Sequence, residues 1–272
     1  MGDGMAPAVY INHGGGPLPL MGKQPEVANF LGGYAATLKR KPVAILLFTA
    51  HWETAVTTVS TGTSPGLYYD YSGFPPETYQ IKYDAPGSPE VAQKVVDCLD
   101  RAGLPVATDG TRGWDHGVFV PLKLMFPKND VPVVQVSVLK SQDAAAQFQV
   151  GMAVQSLRNE GILVVASGAS FHNFGYFFAR DPKVRAQGEH HSKQFDDWLK
   201  KTVTDTTLTA QQRAEQLVAW DGHPSGRAAH PPGAAEHLMP LFAAAGAGGG
   251  APGAAVGESG TQGFAISQFE WR

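Results

Sequence analysis

"LLFTAHWET", Leu46 to Thr54, decides how the chain is read. An apolar run of strand length ends abruptly in a histidine and a tryptophan, so a core element delivers an imidazole at its tip. "VYINHGGGP", Val9 to Pro17, ends the same way, and "ILVVASGASFHN", Ile162 to Asn173, does so after a few loop residues. Around them, short apolar runs alternate with longer helix-like segments. Strands are expected at residues 8–12, 43–49, 56–61, 106–109, 131–138, 162–167 and 263–271, and helices at 25–39, 89–102, 118–126, 142–160, 187–203, 210–220 and 234–245. This alternation predicts an α/β fold: a single domain over residues 1–272, with a central mostly parallel or mixed sheet and helices on both faces. Ligands of open α/β sheets bind outside the carboxyl ends of the strands. His13, His51 and His172 each follow a predicted strand at that end, so neighbouring strands would make the three imidazoles converge.

Composition narrows the partners. With 272 residues, 43% of them hydrophobic and 17% charged, the chain can bury a large core. A net charge of -3 without a basic stripe gives no nucleic-acid footprint. No window is apolar for long enough to span a bilayer, and "MGDGMA" lacks both a signal-peptide pattern and the serine or threonine of a myristoylation signal. A soluble, cytoplasmic protein is the expectation. The lone Cys98 can form neither an internal disulfide nor a thiolate cluster, and it reads as a small buried residue of a helix. "AAAGAGGGAPGAAVGESG", Ala243 to Gly260, reads as a mobile surface loop before a final strand. Tyr71 to Pro89 is too long for a bare connection, as functional loops often are.

His116 in "GWDHGVFVPL" stands at the entry to an apolar helix, where Asp115 would be the cap. His237 in "HPPGAAEHLMPLF" lies near the start of another, with Leu238, Leu241 and Phe242 supplying its buried face. His223 and His230 each precede a proline and read as loop residues, and His190 and His191 read as part of a solvated helix. Imidazoles from separate elements can build a metal site. The single cysteine excludes a structural zinc finger, and no HExxH helix is present. Nitrogen ligands with open positions suit hydrolytic zinc or redox-active Fe(II). "HGGGP" and "GTSPG", Gly62 to Gly66, formally match lipase elements, but Pro65 and Gly66 lead into no helix. The glycines are better read as letting backbone pass close to a ligand.

"NHGGGP", "TAHW", "YDYSGFPPETYQIKYDAPGSPE", "GWDHGVFVPL", "ASGASFHN" and "EHLMPL" occur in the order seen in class III extradiol ring-cleavage dioxygenases. The chain resembles their 4,5-DOPA dioxygenase branch, related to the catalytic subunit of protocatechuate 4,5-dioxygenase, from about Val9 to Leu241. The resemblance implies a mononuclear non-haem Fe(II) site, often found with Zn(II), ligated by His13, His51 and His237, with Glu236 the alternative third ligand. It also implies His172 as catalytic base and His116 as a second catalytic histidine. The reaction implied is cleavage of a catechol by O2 to a hydroxymuconic semialdehyde-type product. Trp52, Tyr71 and Phe74 are candidates to line the substrate pocket, with Tyr68 and Tyr69 beside them. Two rival readings use the same histidines: a zinc-dependent hydrolase and a non-catalytic binding member of the superfamily.

Overall fold

In the computed structural model, which describes residues 4–260 and 263–272, successive residues of the predicted strands alternate between two cores. Tyr10, Leu46, Phe48 and Val164 pack on one face of a sheet, and Val9, Ile11, Ile45, Leu47 and Val165 pack on the other. That is the period-two consequence of a pleated strand buried on both sides. Residues 1–3, and with them the first half of the "MGDGMA" reading, lie outside the described residues.

The strands are β1 (Ala8–Asn12), β2 (Ala44–Thr54), β3 (Thr57–Ser60), β4 (Val106–Asp109), β5 (Val133–Leu139), β6 (Ile162–Gly168), β7 (Ala254–Glu258) and β8 (Ser267–Trp271). They form one eight-stranded sheet in the order β4-β3-β5-β2-β6-β1-β8-β7 among the described residues. The central four, β5, β2, β6 and β1, are parallel, whereas β3 and β8 run antiparallel to them on either flank. The sheet is therefore mixed. Helix α1 (Pro25–Tyr34) covers one face through Val27 and Leu31, as does α3 (His116–Met125) through Val118, Phe119 and Leu122. On the other face lie α2 (Pro89–Arg101), α4 (Ala144–Ala153), α6 (Pro182–Thr204), α7 (Ala210–Val218) and α9 (Met239–Ala247). Two one-turn helices, α5 (Phe174–Phe177) and α8 (Gly226–Ala229), were not evident from periodicity, since a single turn carries no period.

The Ala/Gly-rich stretch departs from its reading as a mobile loop. Its first residues complete α9, every residue of which is buried, and Ala254–Glu258 form the edge strand β7. Small residues serve close helix packing here. A Cβ on Gly151 of α4 would sit 2.1 Å from the Ala243 carbonyl oxygen, so the two helices approach at backbone contact. The "GTSPG" segment leads from β3 into loop, not helix, which removes the nucleophile-elbow reading. No helix of the described residues is long and apolar enough to cross a membrane.

Candidate metal centre

Strand β2 runs further than its apolar core suggests and carries His51 within it. Its register against β5 shifts between Thr49 and Glu53, and the His51 amide donates to Thr49 Oγ1 at 3.2 Å. This local irregularity lies where β2 reaches the ends of its neighbours β5 and β6. His13 directly follows β1, and His172 lies four residues past β6. Because β2, β6 and β1 are adjacent, their carboxyl ends bring the three histidines to one crevice, as expected. His116 enters from the first residue of α3 and His237 from the turn before α9. His237 thus precedes its helix instead of lying within it.

The five imidazoles are close neighbours. Ring centroids of His13, His51 and His237 are 4.9, 5.2 and 4.8 Å apart, a nearly equilateral triangle. His116 lies 3.9 Å from His51 and 5.4 Å from His13. His172 stacks on His237 at 3.5 Å with an interplanar angle of 15°. Two trios bring a ligand atom of each member within 4.8 Å of the others: His13, His51 and His116, and separately His172, Glu236 and His237.

Hydrogen bonds assign the ring protons. Ser167 Oγ donates to the Gly117 carbonyl, so it accepts from His13 Nδ1, at 2.8 Å. His237 Nδ1 donates to Glu236 Oε1 at 2.8 Å, and His116 Nδ1 donates to Asp70 Oδ1 at 2.8 Å. His51 Nδ1 faces Asp70 Oδ2 at 3.4 Å. His13, His237 and His116 each bond an acceptor through Nδ1, which leaves Nε2 as the nitrogen available to a ligand. The Nε2 atoms of His13 and His51 face each other at 3.1 Å. At that distance one ring can donate to the other, and with both Nε2 atoms deprotonated a cation between them would be held by the two lone pairs. Two nitrogens at about 2.1 Å from one ion would stand about 3.0–3.4 Å apart for bond angles from octahedral to tetrahedral. The donor set fits a metal, down to the outer-shell partner on each Nδ1.

Electrostatics agree. Burial, followed by the charges of the neighbouring histidines, pushes His13, His51 and His237 well below the ordinary imidazole range. They are neutral at physiological pH, as ligands must be. His172 is lowered to about 4, chiefly by burial and then by His116, so it too is neutral and able to accept a proton. Burial raises Glu236 and Asp115. For Asp70 burial acts upward, but the hydrogen bonds and charges of His116 and His51 outweigh it and leave the carboxyl lowered.

Several residues with structural work in the site carried no signal of their own. Asp70 binds both the amide and Nδ1 of His116, at 2.9 and 2.8 Å, and reaches His51 as well. It belongs to the long loop between β3 and α2, whose length was the available hint. Asp115 precedes α3 but does not cap it; its carboxylate accepts from Thr49 Oγ1 at 2.8 Å and Arg112 at 3.1 Å. His230 is not an exposed loop residue. It is fully buried, with Nε2 donating to the Ser170 carbonyl at 2.9 Å, while the His172 amide donates to the Ala229 carbonyl at 3.1 Å. The segment ahead of His237 thereby holds the segment carrying His172. Gly168 lets the His237 carbonyl in: a Cβ there would lie 2.1 Å from that oxygen. Tyr10 Oη and the Ala169 amide each donate to the same oxygen at 3.0 Å.

The cavity above these groups measures about 640 Å³, and Tyr71, Phe74, His51, His116, His172 and His237 all line it. The glycines of "HGGGP" form part of its wall. Trp52 does not. Adjacent strand side chains face opposite ways, and Trp52 is buried beneath the Arg112 guanidinium, 4.8 Å from its ring centroid.

A mixed α/β sheet with converging neutral imidazoles at its carboxyl edge defines an enzyme centre of the histidine-ligated metal type. The chain belongs to the family described as the catalytic LigB subunit of aromatic ring-opening dioxygenase, whose model matches residues 7–269. Its curated relatives include a protein named dioxygenase tasH from Hapsidospora irregularis, 40% identical, with 90% of this chain and 78% of the relative covered. The 4,5-DOPA dioxygenase extradiol of Beta vulgaris is 34% identical, covering 91% and 88%, and that of Escherichia coli K12 is 35% identical, covering 89% and 84%. Among solved structures, an uncharacterized protein from Escherichia coli K12 superposes with a TM-score of 0.76 at 29% identity, over 98% of this chain and 100% of that one. The expected class III extradiol dioxygenase family is thus the chain's own.

Proposed function

We propose that the protein is an Fe(II)-dependent extradiol dioxygenase that opens the ring of a catechol, both atoms of O2 entering a hydroxymuconic semialdehyde-type product. The observation that carries this reading is the pair of opposed Nε2 atoms of His13 and His51, 3.1 Å apart, beside the cavity that His51 and His237 line. His13, His51 and His237 are the ligands. Their even triangle supports this set over one with His116, which crowds His51 at 3.9 Å. Glu236 lies behind His237 as the acceptor of its Nδ1 proton, a supporting role and not a ligand.

Iron bound there would supply the electron exchange between catecholate and O2 that zinc, with no redox chemistry, cannot. The chain's own residues do the rest. His172, neutral and facing the cavity, takes a catechol proton at Nε2, since its Nδ1 faces Glu236 Oε1 at 3.5 Å. Its stacking on His237 fixes the ring plane, and the Ala229 carbonyl holds its backbone. His116, oriented by Asp70 through Nδ1, lines the cavity as a second group able to exchange a proton with the bound substrate.

The test is anaerobic loading with Fe(II), then addition of catechols and oxygen, with oxygen uptake and yellow product recorded. Zinc-loaded protein is expected to be folded and inert. Activation by zinc with no need for oxygen would instead establish the hydrolase reading. His172→Ala should retain the metal and lose roughly 10²–10⁴-fold in turnover. Unchanged turnover would remove it as the base.

A further inference from the structure

The lining of the cavity points beyond the reaction class to the substituent the catechol carries, an inference that rests on the reading of the site as a catechol site. Among the described residues, no lysine or arginine lines the cavity. The two ionisable carboxyls that do, Glu53 and Glu236, would face a substrate anion with like charge. Guanidinium groups adjoin the walls but are committed elsewhere. Arg112 donates to the His51 carbonyl at 3.0 Å, pairs with Asp115 at 3.1 Å and lies over Trp52. Arg185 pairs with Glu189 at 3.1 Å, donates to the Phe177 carbonyl at 3.3 Å and lies over Phe264.

What the cavity offers a substituent is aromatic surface. Phe74, Phe171, Phe174, Phe177 and Phe178 all contribute to the walls. Phe174 packs on the His172 ring at 4.5 Å and on Phe178 at 5.5 Å, so a continuous apolar path leads from the base to the mouth. Phe174 and Phe178 are nevertheless 59% and 77% exposed. Two large rings left in water at the rim of one site, on the first residue of a one-turn helix and the residue that follows it, are surface waiting for an apolar ligand group. A volume of about 640 Å³ falls within the roughly 300–1,000 Å³ typical of sites for drug-sized molecules, far more than a bare catechol fills.

We propose that the protein selects catechols bearing an uncharged apolar substituent, alkyl or aryl, which lies against Phe174 and Phe178, and that it discriminates against catechols carrying a carboxylate. A carboxylate substituent entering this cavity loses its water without meeting a cationic side chain.

The experiment compares near-isosteric probes, 4-propylcatechol and 3-(3,4-dihydroxyphenyl)propanoate. Calorimetry on the zinc-loaded protein without oxygen reads binding alone, and oxygen uptake by the iron-loaded protein reads kcat/KM. The propyl compound is expected to bind at least about 30-fold more tightly, with a similar preference in kcat/KM. Phe178→Arg, a change at an exposed position, should bring a cation to the mouth and narrow that gap by about tenfold through tighter binding of the propanoate. Equal binding, or preference for the propanoate, overturns the proposal, as does a Phe178→Arg protein with an unaltered ratio. A retained binding preference with no oxygen uptake from either probe keeps the specificity and rejects the dioxygenase reading. Binding of neither probe rejects both.

Discussion

Replacing Gly168 by alanine tests how the fold holds its last histidine. The added Cβ would fall 2.1 Å from the His237 carbonyl oxygen and 3.1 Å from its carbon. A carbon–oxygen contact settles near 3.3 Å, so the His237 backbone would retreat by about 1 Å. That motion breaks the hydrogen bonds from Tyr10 Oη and the Ala169 amide, both 3.0 Å in length. Losing the two, with their donors stranded in the interior, costs roughly 2–4 kcal/mol. The imidazole moves with its backbone, and metal affinity should fall roughly 10–100-fold. Urea denaturation of the metal-free protein measures the first effect, and competition with a chelator the second. Gly32→Ala is the control: it lies in α1 with nothing within 4 Å of its built Cβ, and helix propensity predicts a gain of about 0.5–1 kcal/mol. A Gly168→Ala protein with the wild-type midpoint and metal affinity would refute the claim that this glycine positions the ligand.

Asp70→Asn should leave the protein folded with its denaturation midpoint little changed. Because His116 and His51 lose the carboxylate that orients both rings, kcat/KM should fall roughly 10–100-fold, measured by oxygen uptake. Acid sensitivity offers a further check through His230, whose imidazole burial lowers to about 3. The unfolded chain takes up this proton near pH 6.5 and the native state does not until about pH 3, so the stability tied to His230 is whole above pH 6.5 and drains away between those values. At pH 5 the loss is about 2 kcal/mol. His230→Gln, which keeps a donor for the Ser170 carbonyl, should flatten the denaturation midpoint against pH over that window. An identical slope in the two proteins would show that other groups govern it.

The alternation of apolar runs with helical segments was enough to place a mixed or parallel sheet between helices, and the ends of β1, β2 and β6 already announced His13, His51 and His172. Those signals are local: a strand's burial is written in its own residues, and a histidine at its tip travels with it. The reading of residues 243–260 as a mobile loop failed for the opposite reason. Alanine and glycine are ambiguous alone, and only the backbone of α4 against Ala243 makes their smallness a packing requirement.

What the chain determines by itself is which side chains the strands carry to their carboxyl ends. What only the tertiary structure decides is the partnership among them. Asp70 serves two histidines from a loop distant in sequence from both, His230 braces the His172 segment from sixty residues away, and Trp52 turns from the cavity that its neighbour lines. Hydrogen bonds, lone-pair directions and the sign of charge around a cavity are relations between distant segments. They exist only once the sheet has set its strand order.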